Sequence, residues 1–187
     1  EKELEGVFNA FPIKHPNPGI RRMALCMRAL LETLYATGMR ISEALLLKRS
    51  QWTEIKEKKE TKIVSAKGGN ERIVYFSDRA IEWLERYLKE RNDISDAMFV
   101  NSYGEPLKVV TAKSYILRFR KKFGENGRKI KFHTFRRTLA THLLLKGMPI
   151  HEIKTIIGWK SDRTLLRHYA ISIREIAKQK YLEIMNK

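Results

Sequence analysis

The sequence predicts a mainly α-helical domain with one small antiparallel β-sheet, an α+β arrangement, and three observations carry that prediction. Apolar residues recur at helical spacing over most of the chain, in blocks at 20–35, 78–91, 109–123, 133–147, 149–158 and 172–186. Strand-like runs are confined to TKIVSAKGGNERIVYF, where two short segments flank a Gly-Gly-Asn turn. With 187 residues and 43% apolar composition the chain can bury a real core, and residues 1–187 read as one domain.

The elements follow in order. FPIKHPNPGI holds three of the five prolines and reads as a loop ending at a helix start near Gly19, so residues 1–19 are expected to be a linker. The helix over 20–35 stops at Gly38, because glycine accepts the left-handed cap conformation. A second helix is expected from about Ile41 through the run Leu45, Leu46 and Leu47, with Ser42 and Glu43 suiting its first turn. The hairpin pairs Lys62–Ser65 with Arg72–Phe76. Asp78 opens a helix reaching about Arg91, and a loop spans Asn101–Pro106. A basic helix runs from about Val109 to Phe123, and another from near His133 to Gly147. Pro149 opens the next helix, which Gly158 closes. A short helix from about Asp162 leads to Tyr169, and an amphipathic helix ends the chain.

Composition narrows the function. Lys and Arg number 38 against 21 acidic residues, a net charge of +17, and a domain so basic seeks a polyanion, most commonly nucleic acid. Abundant Lys and Glu, with Gln only at 51 and 179, give a thermophile-like flavour, but ion-pair networks raise both signs together. No apolar run approaches the roughly 20 residues of a membrane span, so no membrane partner is expected. The lone Cys26 forms no internal disulfide and argues against a cysteine metal cluster, which suits a reducing, cytoplasmic setting. The chain opens with Glu1 rather than Met and no signal peptide, and is expected to be a fragment.

Two stretches carry chemistry. In ATGMRISEALLLKRSQW, Arg40 stands at the lip of an apolar helix, three residues before Glu43; taken alone, that is a surface ion pair worth a few tenths of a kcal/mol. In FHTFRRTLATHLLLKG, Phe135, Leu139 and Leu143 form an apolar stripe, while His133 and Arg136 lie one turn apart and can face one ligand. His15, His142 and His151 have no partners at ligand spacing and read as structural.

Arg40 after ATGM, Lys67 in AKGGNER, His133 and Arg136 in HTFR, Trp159 in IGWKS, and Tyr169 form an ordered series that closely resembles the tyrosine recombinase (integrase) family. The resemblance covers about residues 20–175, and its first motif stands complete as Thr37–Glu43. Two departures stand out: Trp159 and Tyr169 are ten apart where the family usually has nine, and Asn70 replaces a frequent basic residue in the hairpin turn.

The resemblance implies the catalytic-domain fold of that family and site-specific cleavage and rejoining of double-stranded DNA through a 3′-phosphotyrosine, with no metal and no cofactor. Arg40 and Arg136 would grip the phosphate oxygens through bidentate forks that lysine cannot reproduce, with Glu43 orienting Arg40. Tyr169 would be the nucleophile, Lys67 the acid for the 5′ leaving oxygen, and His133 the acid/base or phosphate donor near the tyrosine. Trp159 has only an indole N–H to donate, so it would hold an oxygen and pack the site. Tyr181 reads as packing. Arg118, Arg120, Lys121, Lys122, Arg128, Lys129, Lys131 and Arg137 would contact the DNA backbone.

By the same resemblance, an N-terminal DNA-clamping domain would precede this chain. The protein would be a monomer when free and a tetramer in the DNA synapse, the 172–187 helix docking on a neighbouring protomer. Two alternatives stay open: a type IB topoisomerase using the same chemistry, and a non-catalytic helix-turn-helix module built on 133–158.

Overall fold

The computed structural model describes residues 2–64, 71–119 and 130–159, and of the tail 173–174, 177–178, 181–182 and 184–186, with backbone alone at 2–4. The elements run α1 (Lys2–Asn9), α2 (Pro18–Thr37), α3 (Ile41–Ala44), α4 (Trp52–Lys58), β1 (Glu60–Val64), β2 (Glu71–Tyr75), α5 (Asp78–Lys89), α6 (Val109–Phe119), α7 (Phe132–Leu145) and α8 (Ile150–Ile157). A 3-10 turn at Arg49–Gln51 leads into α4. The fold is mainly helical with one two-stranded antiparallel sheet, as the sequence predicts.

Helix α2 is the axis of the molecule. Asn17 caps it, its side chain accepting from the N–H groups of Gly19 (2.9 Å) and Ile20 (3.2 Å), and Pro18 sits where no N–H is needed. Every residue from Met23 to Leu34 is buried, because α5 and α7 pack against it and leave no face to solvent. Gly38 ends it at φ 63°, its N–H donating to the Leu34 carbonyl at 3.1 Å. The main core lies around α2, and a second cluster of Leu139, Ala140, Leu144, Ile153 and Ile157 joins α7 to α8.

Two expectations need correction. The segment read as a linker carries α1, and Val7, Phe8 and Phe11 are core residues. Arg79 donates to Glu5, Arg28 to Asn9, and both arginines hold the buried Glu32, so α1 is tied to α2 and α5 by charge as well as by apolar contact. The helix expected to run through Leu45–Leu47 stops after four residues. There the backbone pairs with a distant segment instead: Met98 N–H donates to Leu47 O at 2.8 Å, and Lys48 bridges Ala97. Leu47 is consequently buried while Leu46 is 66% exposed.

The hairpin registers Glu60 opposite Tyr75 and Val64 opposite Glu71. Its turn, the continuation of α6 past Phe119 and the expected helix before Tyr169 lie outside the described residues. The described residues of the tail are helical over 173–174, 177–178, 181–182 and 184–185. Tyr181, read as packing, is 62% exposed among them, and Leu182, Ile184 and Met185 are exposed beside it.

Candidate active site

Four charged side chains meet where the end of α2, the hairpin and α7 come together. The left-handed turn at Gly38 brings the chain round so that Arg40 becomes the N-cap of α3. Glu43 closes back on it: Oε2 accepts the Arg40 backbone N–H at 2.9 Å, and Oε1 accepts from Arg40 Nη1 at 2.9 Å. The Glu43 side chain is 0% exposed, whereas Arg40 keeps 37% of its side chain open. This is no surface ion pair.

A third residue completes the carboxylate's shell. Arg72 shares a face of β2 with the buried Val74, two positions on, and points inward. Its Nη2 donates to Glu43 Oε2 at 2.7 Å and its Nη1 to Oε1 at 3.3 Å, a fork laid on a fork. Burial alone would raise the Glu43 pKa; the bonds from Arg72 and from the Arg40 backbone and side chain outweigh it and hold the carboxyl at about 2. Glu43 is therefore ionised at any working pH.

Arg136 comes from the middle of α7 and is 1% exposed. Its Nη1 donates to the Gly38 carbonyl at 2.5 Å, which locks α7 to the turn that presents Arg40. Its Nε and Nη2 are buried without a hydrogen-bond partner among the described residues. Burial lowers its pKa, the nearby charges of Arg40 and Arg72 lower it further, and Glu43 only partly offsets them, leaving it at about 10. The Trp159 ring centre lies 5.8 Å from the Arg136 guanidinium carbon, within cation–π range.

Three guanidiniums thus surround one carboxylate, an excess of two positive charges in a largely dry setting. Two nitrogens of the most buried member, Nε and Nη2, await an acceptor. Such an arrangement selects a compact dianion, or a phosphoryl group on its way to becoming one.

Of the residues expected at the site, Arg40, Glu43, Arg136 and Trp159 are brought together. His133 is exposed at the start of α7, sharing the wall of a surface cavity with Ile41, Lys113 and Lys131. Arg118, Lys131 and Arg137 are exposed, on α6 and on or beside α7. Lys67, Tyr169, Arg120, Lys121, Lys122, Arg128 and Lys129 lie outside the described residues. His142 engages the Tyr35 hydroxyl across 107 positions, and His15 accepts the Asn17 N–H at 3.1 Å; both bonds are structural.

Arg72 closes the AKGGNER segment that carries the resemblance, but the sequence reading gives it no role in the site. The available signal was its parity: a charged residue two positions before Val74 on a strand with one buried face. Among the described residues no group of three His, Cys, Asp or Glu is placed to hold a metal ion, and no helix is long and apolar enough to cross a membrane.

A mostly helical domain with one antiparallel hairpin and a buried arginine clamp has the catalytic-domain fold of the tyrosine recombinases. Residues 13–175 match the phage integrase family, and the chain belongs to it. It is 32% identical over 152 residues to the tyrosine recombinase XerC of Chlamydia trachomatis (serovar L2), a stretch that is 79% of this chain and 47% of that protein. The crystal structure of XerA recombinase superposes with a TM-score of 0.71 at 24% identity, over 96% of this chain and 63% of that one. XerH bound to its difH substrate before cleavage gives 0.67 at 25% identity, over 89% and 48%. The chain spans about half the length of the curated relatives it matches.

Proposed function

We propose that this chain is the catalytic unit of a site-specific DNA recombinase, cutting and rejoining DNA strands through a 3′-phosphotyrosine. The observation that carries the reading is Arg136: a guanidinium this buried, with two nitrogens unanswered and two other arginines close by, is what a scissile phosphate would satisfy. Family membership and the XerC likeness support it. A helix-turn-helix reader would instead turn the cations of α7 outward, and here the central one faces in.

In the proposed reaction the Tyr169 oxygen attacks phosphorus as its proton passes to His133. The bond to the 5′ oxygen breaks, and Lys67 protonates that oxygen. Arg40 and Arg136 hold the non-bridging oxygens, and the two excess positive charges match the charge of the phosphorane. A 5′ hydroxyl from a second duplex then reverses the sequence. The phosphodiester energy stays in the phosphotyrosine, so neither metal nor ATP is called for. Double-stranded DNA is the proposed substrate, bound as a tetrameric synapse; the exposed Leu182, Ile184 and Met185 would let the tail dock on a neighbour. Apart from Arg136, the eight Lys and Arg residues from Arg118 to Arg137 would follow the DNA backbone.

Incubation with a nicked suicide duplex tests this. The wild type is expected to give a denaturation-resistant protein–DNA adduct, and Tyr169→Phe to bind the duplex equally while giving none. An adduct formed equally by Tyr169→Phe, or no adduct from a wild type that binds DNA, overturns the reading. Strand joining between two duplexes, rather than relaxation of a supercoil alone, separates a recombinase from a topoisomerase.

A further inference from the structure

We infer that Arg72 is a positioning residue for the reaction: by sharing Glu43 it leaves the guanidinium of Arg40 aimed outward for its phosphate. The inference rests on the recombinase reading above and adds a residue to it.

Each oxygen of Glu43 is divided between the two arginines. Oε1 takes Arg40 Nη1 at 2.9 Å and Arg72 Nη1 at 3.3 Å; Oε2 takes the Arg40 backbone N–H at 2.9 Å and Arg72 Nη2 at 2.7 Å. The shorter side-chain bond belongs to Arg72, as does the deeper burial, at 13% exposure against 37% for Arg40. Arg72 therefore neutralises the carboxylate, and Arg40 spends one side-chain N–H of five on it. A buried carboxylate deprived of Arg72 would have Arg40 as its one bonded cation and would draw the whole fork inward, away from any ligand.

The seat of Arg72 is built for its length and shape. Its side chain lies beneath Gly158, where an added Cβ would stand 2.9 Å from Cδ, 3.0 Å from Nε and 3.2 Å from Cζ. Gly158 is also the left-handed cap of α8 at φ 75°, and the next residue, Trp159, stands over Arg136. One side chain thus ties the inner face of β2 to the start of α3 and to the end of α8. A lysine in this place would keep the charge and lose the second bond to Glu43.

The test compares wild type, R72K and R72M in single-turnover cleavage of a nicked duplex at saturating DNA. The scissile group is either a phosphate or an uncharged methylphosphonate. On phosphate, R72M is expected to cleave about 10- to 100-fold more slowly, the scale of a misplaced reacting group, with R72K nearly as slow. On methylphosphonate, whose transition state carries one negative charge fewer, the gap to wild type is expected to shrink to a few-fold. A merely structural defect would slow both substrates alike, and that result overturns the inference. So does wild-type speed on phosphate for either variant. Should R72M fail to fold, R72K carries the same comparison. A wild type that cleaves neither substrate refutes the recombinase reading itself, whereas a normal wild type beside unimpaired variants refutes the role of Arg72 alone.

Discussion

Arg136 is held against its own preference. Burial and two neighbouring cations depress its pKa well below the ordinary arginine value, to about 10, a destabilisation of about 3 kcal/mol in the charged form. One bond to the Gly38 carbonyl returns roughly 1.5–3 kcal/mol, which does not exceed that cost. Arg136→Met, similar in volume and without charge, is therefore expected to leave Tm unchanged or to raise it by a few degrees, while phosphotyrosine formation falls by at least about 100-fold. Thermal melts and adduct assays on the same preparation check the pair. A large drop in Tm would mean that the residue serves the fold rather than the ligand. Glu43 is the opposite case: its carboxylate is fully partnered, so its ionised state stabilises the fold.

At the scale of elements, α1 is part of the core. Phe8 lies 5.8 Å from Phe135, ring centre to ring centre, and Phe135 adjoins Arg136 on α7. Phe11 stacks on Tyr115 of α6, and Arg28 spans Asn9 and Glu32. Deleting residues 1–11 removes three large apolar groups from the core and leaves the Arg28–Glu32–Arg79 cluster partly unpartnered. At about 1.5–3 kcal/mol per side chain the expected loss is on the order of 5 kcal/mol, read as a lower urea midpoint. A midpoint unchanged by the deletion would return α1 to the status of a linker. The short α3 shows the converse: its helix yields to pairing with residues 96–98, where Arg91 pins the loop by donating to the carbonyls of Ser95, Ala97 and Met98.

For the whole molecule, charge decides the manner of binding. On the proposed function, a net +17 would make the approach to DNA largely a matter of counterion release. If the eight Lys and Arg residues of 118–137 other than Arg136 each meet a phosphate, affinity is expected to fall about 1,000-fold or more between 50 and 200 mM salt. Tyr169→Phe should show the same slope, since a phenol oxygen releases no counterion. Binding isotherms at four or five salt concentrations check this, and a flat response would point away from the backbone as the main contact.

Sequence alone determined what depends on neighbours along the chain. The helix start near Gly19, the caps at Gly38 and Gly158, the helical periods and the hairpin each follow from a few adjacent residues, and so does the pairing of Arg40 with Glu43 three positions on. Only the tertiary structure decided matters that join distant segments: that Arg72 shares Glu43 across 29 positions, and that Arg136 reaches Gly38 across 98 and is buried there. The core places of Val7, Phe8 and Phe11 are of that kind too. Burial and long-range hydrogen bonds are set by which surfaces meet, and no local pattern of residues encodes that meeting.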